Sequence, residues 1–207
     1  KGIDKILVSS NCDIMLGIAK DMGVDTHKRD LEYCTTECSG SSVFTELAKN
    51  INTQILLYTH CVAPFTTIND YENGIKMFFD NPVGSLVSAK LLKEFILYNN
   101  SSINYDLNNA PPSQYLPDYY IPNFGFVIVN TNDVLIKKNI IVKPIKKYNM
   151  DFIFSIDIDY PSDFIISELL YNHNIVNEDT ANLIIKSRDN DKIELLDCTI
   201  RDGGYLN

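Results

Sequence analysis

Two carboxylates separated by one isoleucine, Asp157 and Asp159, are the residues of this chain best suited to do chemistry. Phe152, Phe154, Ile156 and Ile158 alternate with Ile153, Ser155, Asp157 and Asp159, so a strand of period two sends the first set into a core and both acids to the other face. Residues two apart on a strand lie roughly 6.5 to 7 Å apart, and side chains at a fraying strand end converge enough to share a hard cation directly or through its waters. A helix is expected at once: Pro161 suits its first position, Ser162 and Asp163 its first turn, and Phe164, Ile165, Leu169 and Leu170 its buried stripe. Strand end, acidic pair and helix start together form a place where α/β proteins hold Mg²⁺ against phosphate. The plainer alternative is a solvated strand end, which is what most Asp-x-Asp pairs are.

His60 is the second candidate. It follows the apolar run Ile55-Leu56-Leu57-Tyr58, which fits a central strand, and ligands of open α/β sheets gather at the carboxyl ends of strands. Pocket residue and turn cap are both open for it. Five scattered cysteines (Cys12, Cys34, Cys38, Cys61, Cys198) lack the paired spacing of a zinc site and read as reduced thiols of a cytoplasmic protein. Lys137, Lys138, Lys143, Lys146 and Lys147 form a basic cluster that reads as a solvated face, with phosphate contact as the alternative.

The elements that must position these groups follow an α/β order. Ile3 to Ser10 reads as a buried parallel-type strand through Ile6, Leu7 and Val8, ending in the polar turn Ser9-Ser10-Asn11. Asp13 to Met22 is a helix with Ile14, Ile18 and Met22 on one side, closed by Gly23. Val24 to Ser42 is polar and reads as a surface loop, and Val43 to Ile51 as a helix. Beyond His60, Asn69 to Phe79 is helical, with Tyr71, Ile75, Phe78 and Phe79 apolar, and Gly84 to Ala89 is a strand. Asn99 to Pro122 reads as a lid or binding arm, and Asn123 to Asn130 as a strand. Asn172 to Asp191 reads as a linker, after which Ile193-Glu194-Leu195-Leu196-Asp197 opens a fresh strand.

The totals bound the answer. A chain of 207 residues that is 45% apolar has enough material for one core and a fragment beside it. No apolar run nears the roughly 20 residues a bilayer requires, and no signal-peptide pattern opens the chain. A net charge of −9 argues against generic attraction to nucleic acid or to an anionic membrane. The opening on Lys1 and strand-like material leads us to expect a piece of a longer chain.

With the elements in order, residues 1–171 resemble the acylneuraminate cytidylyltransferases, which make CMP-activated nine-carbon acid sugars. Four segments carry the resemblance: Ile6-Leu7-Val8-Ser9-Ser10-Asn11, His60-Cys61-Val62-Ala63-Pro64-Phe65, Pro112-Ser113-Gln114-Tyr115-Leu116-Pro117 leading to Pro122-Asn123, and Ser155-Ile156-Asp157-Ile158-Asp159. The resemblance implies a Rossmann-like nucleotide-diphospho-sugar transferase fold with a mostly parallel sheet, here incomplete. It implies CTP and an acidic sugar as substrates, Ser10, His60, Gln114 and Asn123 as substrate-binding residues, and Mg²⁺ held by Asp157 and Asp159. A homodimer is one open assembly. Departures accompany it: the family's basic, glycine-containing loop has no counterpart, an arginine commonly stands at Ser113, glutamine at His60, an acidic residue at Asn11 and glycine at Phe124.

The last residues carry a second resemblance. Leu195-Leu196-Asp197-Cys198-Thr199-Ile200-Arg201-Asp202-Gly203-Gly204-Tyr205 looks like the first strand of the (β/α)8 barrel in metal-dependent pyruvate aldolases and acyl lyases of the HMG-CoA lyase-like superfamily. This implies a barrel start at 192–207, with Arg201 steadying an enolate and Asp202 ligating a divalent metal such as Mn²⁺ or Mg²⁺. The paired histidines that complete such a site are not in this sequence. Two classes of function result: a cytidylyltransferase fused to the start of an aldolase, or a binding or scaffolding domain that keeps only the fold.

Overall fold

The computed structural model describes residues 3–177. Arg201, Asp202, most of the expected linker and the expected barrel strand lie outside the described residues. The chain divides into two compact units, Lys1–Phe164 and Ile165–Asn207.

The first unit begins with β1 (Leu7–Ser10), α1 (Asp13–Asp21) and β2 (Asp25–Lys28), and β1 and β2 pair in parallel as a two-stranded sheet. A 3-10 turn at Leu31–Cys34 leads into α2 (Gly40–Lys49), so the stretch expected to be one surface loop holds a strand, a turn and a helix start. Ser39 caps α2 by accepting from the Ser42 amide. The buried side of α1 also differs from expectation: Leu16 and Ala19 are covered, while Ile14, Ile18 and Met22 are exposed, as is Ile6 before β1. One period fits either face of so short a helix, and the partner strands decide between them.

A four-stranded sheet comes next, in the order β3-β7-β4-β8. Its strands are β3 (Ile55–Tyr58), β4 (Ser85–Leu92), β7 (Tyr119–Asn130) and β8 (Ile145–Met150). β7 runs antiparallel to both neighbours, and β4 runs parallel to β8. Hence β3, β4 and β8 share one direction, and the expected mostly parallel sheet is interrupted by a reversed strand. β3 lies at an edge of this sheet rather than at its centre. The middle of β7 is a continuous apolar run, because both its faces are covered. Phe126 and Ile128 pack with Leu86 and with Phe78 of α3 (Ile68–Asp80). Val127 and Val129 face the other way, onto Val87, Ala48 of α2 and Val134 of α4 (Thr131–Lys137). Helices therefore cover both sides of the sheet.

α3 starts at a capping box in which Thr67 accepts from the Asp70 amide and Asp70 accepts from the Thr67 amide. Its Phe79, expected to be buried, is exposed. The stretch expected to be a lid holds a small hairpin, β5 (Leu97–Tyr98) and β6 (Ser101–Ser102), turned by Asn99 and Asn100 in left-handed conformations at φ 48° and 62°. A 3-10 turn at Ser113–Tyr115 precedes β7, which starts four residues earlier than Asn123.

The acidic segment corrects the sequence reading most. The strand there is β8, and it ends at Met150; residues 152–155 form a turn and 156–159 are extended without sheet pairing. Local side-chain bonds cause the break: Asp151 accepts from the Ile153 amide at 3.3 Å and the Ser155 hydroxyl donates to the Phe152 carbonyl at 2.9 Å. Phe152 consequently points to solvent, with the Lys90 ammonium 5.6 Å from its ring centre, while Phe154 is buried. α5 (Pro161–Asn172) begins at Pro161, as expected, but Phe164, Ile165 and Leu169 are exposed rather than buried. This helix runs from the end of the first unit into the second.

Gly74 of α3 lies against the fully buried Phe126, whose ring atoms would stand 2.6 Å from an added Cβ. Gly74→Ala is expected to cost about 1–3 kcal/mol, because Leu86 and Ile128 leave that ring no space. Urea unfolding measures it, and an unchanged midpoint would contradict this packing.

Candidate functional site

The segments after β3 and after β8 leave the sheet at the same end, because these strands share a direction. His60 and Asp157 are brought together by that geometry, and one backbone bond fixes it: the Ile158 amide donates to the Val62 carbonyl at 2.9 Å. The extended stub then carries one carboxylate on each side of Ile158.

The electrostatics show the groups converging. Burial pushes the Asp157 carboxyl above its usual range, and the charges of Asp159 and then Asp163 push it further; His60 and the Ile158 amide act against them. Burial holds the His60 imidazole below its usual value, while Asp157 and Asp159 pull it up. Asp157 is half-buried, and its Oδ1 is sealed from solvent with no hydrogen-bond partner. Asp163 has another task. Its Oδ2 accepts from the Asp159 and Tyr160 amides at 3.1 and 2.8 Å, which ties the site to the first turn of α5.

An orphaned, buried carboxylate oxygen beside a second carboxylate is a donor set that suits a cation. No group of three or more His, Cys, Asp or Glu side chains among the described residues is arranged to hold a metal by itself. Mg²⁺ fits these residues, because it is normally held by one or two carboxylates and completes its shell with water and substrate phosphate.

His60 also belongs to a row of rings. Phe44 meets Tyr58 at 5.1 Å between ring centres, Tyr58 meets His60 at 5.0 Å, and His60 meets Phe124 at 5.4 Å with the planes 33° apart. Burial pushes the Tyr58 hydroxyl up to about 12, against the pull of the Arg29 charge. Phe124 has a left-handed backbone at φ 49°, a conformation that costs a bulky residue on the order of 1–3 kcal/mol. It persists because its surroundings fix it: its carbonyl accepts from the His60 amide at 3.2 Å, and the Gly125 carbonyl accepts from the Thr59 hydroxyl at 2.7 Å.

The other sequence candidates are placed differently. Asn123 is buried and committed inside the sheet: its Oδ1 accepts from the Ser88 hydroxyl at 2.7 Å and from the Gly125 amide at 3.4 Å, and its Nδ2 lies 3.3 Å from the Met150 sulfur. Ser10 ends β1, where its Oγ accepts from the Cys12 amide at 3.1 Å. Gln114 is exposed on the 3-10 turn, tied by its carbonyl to the Lys93 ammonium at 2.9 Å. Neither Ser10 nor Gln114 hydrogen-bonds to His60 or Asp157. Of the lysine cluster, Lys147 stacks over Tyr120 at 3.9 Å and Lys146 donates to the Met77 carbonyl at 3.3 Å. The described cysteines are free thiols.

Sequence reasoning missed a polar relay beside this row. His27 Nδ1 lies 3.0 Å from the Ser9 Oγ, and its Nε2 lies 3.2 Å from Oε1 of the buried Glu46. Arg29 Nε donates to the same Ser9 Oγ at 3.3 Å, and an Arg29 Nη donates to the Ser9 carbonyl at 2.9 Å. The only signal was His27 and Arg29 two apart in a polar stretch, which reads as loop.

No protein-family model matches the chain. Its fold is similar to that of 4-diphosphocytidyl-2C-methyl-D-erythritol synthase from Anaerococcus prevotii, with a TM-score of 0.60 and 13% identity over 82% of each chain. Against 2-C-methyl-D-erythritol 4-phosphate cytidylyltransferase from Thermus thermophilus the TM-score is 0.51 at 10% identity, covering 82% of this chain and 83% of that one. The bifunctional IspDF of Campylobacter jejuni matches at 0.52 and 10% identity over 80% of this chain and 42% of its own length. The fold of this chain is thus one that cytidylyltransferases use.

Proposed function

We propose that this chain is a cytidylyltransferase domain that moves CMP from CTP to a hydroxyl of an acidic sugar. The observation that carries the proposal is the Asp157 carboxylate, with one oxygen buried and unpartnered and with Asp159 and His60 around it. The shared fold and the four sequence segments support it. Asp157 and Asp159 would hold Mg²⁺, which when bound neutralises charge building on the phosphate oxygens. The two aspartates act as ligands and carry no proton. Ile158, pinned to Val62, fixes the backbone between them, and His60, whose pKa burial holds down, lies beside the carboxylates that would hold the cation. Ser10 and Gln114 are proposed to meet substrate, whereas Asn123 serves by shaping the bulge that carries Phe124.

The acidic nine-carbon sugar, or a related keto-acid sugar, is the acceptor the resemblance favours. The finer parts of the reading are proposals too: a cytoplasmic homodimer and a parent chain that continues from 192 into an aldolase barrel using Arg201 and Asp202. No described helix is long and apolar enough to cross a membrane. A second reading, a domain that binds without transfer, is favoured by Phe124 standing where the resembled family has glycine.

Incubating the full chain with CTP, Mg²⁺ and a panel of acid sugars and sugar phosphates should release pyrophosphate. Asp157→Asn and Asp159→Asn should each lower the rate by about 100-fold or more. Calorimetry with CTP separates the second reading, since binding indifferent to Mg²⁺ and to Asp157→Asn would remove the transfer reading.

A stability measurement checks the same charges without turnover. The folded Asp157 carboxyl sits above its ordinary 3.8, so it stabilises the protein when protonated, and that contribution is lost as pH rises through its folded value. At neutral pH with chelator present, Asp157→Asn should therefore be the more stable protein, by less than about 1 kcal/mol after solvent screening. Its advantage should fade as pH falls towards 3.8. A variant less stable than the parent at neutral pH would mean that Asp157 is partnered.

A further inference from the structure

We infer that Phe124 determines which acceptors the site takes, by closing one face of His60 and limiting the sugar to a compact one; this rests on the cytidylyltransferase reading. Three observations carry it. The backbone of Phe124 is left-handed at φ 49°, where glycine fits without strain and a phenyl-bearing residue does not. Such strain is retained where the surroundings over-determine it, and it concentrates at ligand sites. The side chain projecting from that backbone lies against His60, at 5.4 Å between ring centres, and packs on the cluster formed by Val87, Val127 and Ala48. On its other sides His60 meets Tyr58 and the charges of Asp157 and Asp159. The Phe124 ring therefore fills space bordering the proposed cation site, space that glycine would leave open.

The left-handed residue sits within a bulge of the sheet. The pairing of β4 with β7 passes from Val87 opposite Val127 to Ala89 opposite Pro122, so residues 123–126 bow out against Ser88 alone. The Phe124 carbonyl in this bow accepts from the His60 amide. Removing the ring should thus leave the backbone path intact and open only the space. Within the acidic sugars of that reading, this selects the shorter keto-acid sugars over the nine-carbon ones, on the side facing His60.

The test compares the full chain with Phe124→Gly and Phe124→Asn, the second because asparagine also tolerates left-handed backbone and restores a folded control if glycine unfolds the protein. Calorimetry with six-, eight- and nine-carbon 2-keto acid sugars, in the presence of CTP and Mg²⁺, should show the variants gaining at least tenfold affinity for the longer sugars relative to the shortest. Diethyl pyrocarbonate, read by peptide mapping at His60, should acylate His60 several-fold faster in both variants. An unchanged size ranking, unchanged acylation of His60, or binding of no sugar by any of the three proteins overturns the inference. A shifted size ranking without pyrophosphate release upholds Phe124 as the size determinant and removes the transfer reading alone.

Discussion

A single buried hydroxyl organises the site. Ser88 is fully enclosed in β4, and its Oγ accepts from the Phe126 amide at 2.9 Å while donating to Asn123 at 2.7 Å. Opposite it the sheet register slips, and an unpaired strand backbone inside a protein costs free energy unless each polar group finds a partner. The bulge satisfies them locally: Phe126 through Ser88, Gly125 through Asn123 and Thr59, Phe124 through His60. Losing the Ser88 hydroxyl would leave the buried Phe126 amide unpaired, a penalty of about 1–3 kcal/mol, and would leave the Asn123 Oδ1 only its longer bond from the Gly125 amide. His60 is thus linked, through the Phe124 carbonyl, to a polar contact between β4 and β7.

That bulge also explains why Gly125 is glycine. An added Cβ would lie 2.6 Å from the Thr66 Oγ and 3.3 Å from the Met150 sulfur, the same sulfur that Asn123 approaches. Met150 is the last residue of β8, so the end of the strand that launches the acidic segment is packed beneath the bulge that holds His60. The two halves of the site are therefore coupled through one buried contact as well as through the Ile158–Val62 bond.

The sequence exposed the elements with strong periodic or continuous apolar signals. β3, α3 and the core of β7 lie where Ile55–Tyr58, Tyr71 to Phe78 and Phe126 to Val129 said they would. It exposed the helix start at Pro161 as well, because residue type alone announces it. The strand expected beneath the pair was misread for a physical reason: the alternation from Phe152 to Asp159 is genuine, but Asp151 and Ser155 offer the backbone turn bonds that compete with sheet pairing. β2 and the His27–Ser9–Arg29 relay were illegible since their side chains are polar and their stability comes from partners distant in sequence. Asn123 had the right type for a ligand contact, yet only the sheet register shows that its amide is consumed inside the bulge.

Three carboxylates lie at the end of this sheet, and their surroundings differ. Asp163 accepts from two backbone amides at the start of α5, where the helix dipole also favours an acid. Asp159 is exposed to water. Asp157 is the least compensated: its Oδ1 is sealed with no hydrogen-bond partner, burial and the charges of Asp159 and Asp163 push its carboxyl up, and His60 and the Ile158 amide act against them. A fold under selection for stability alone would relieve that oxygen with an amide or replace it with a hydrophobe. The proposed cation would supply the partner that the buried Asp157 oxygen lacks, beside a second carboxylate on a segment whose backbone is pinned at Ile158.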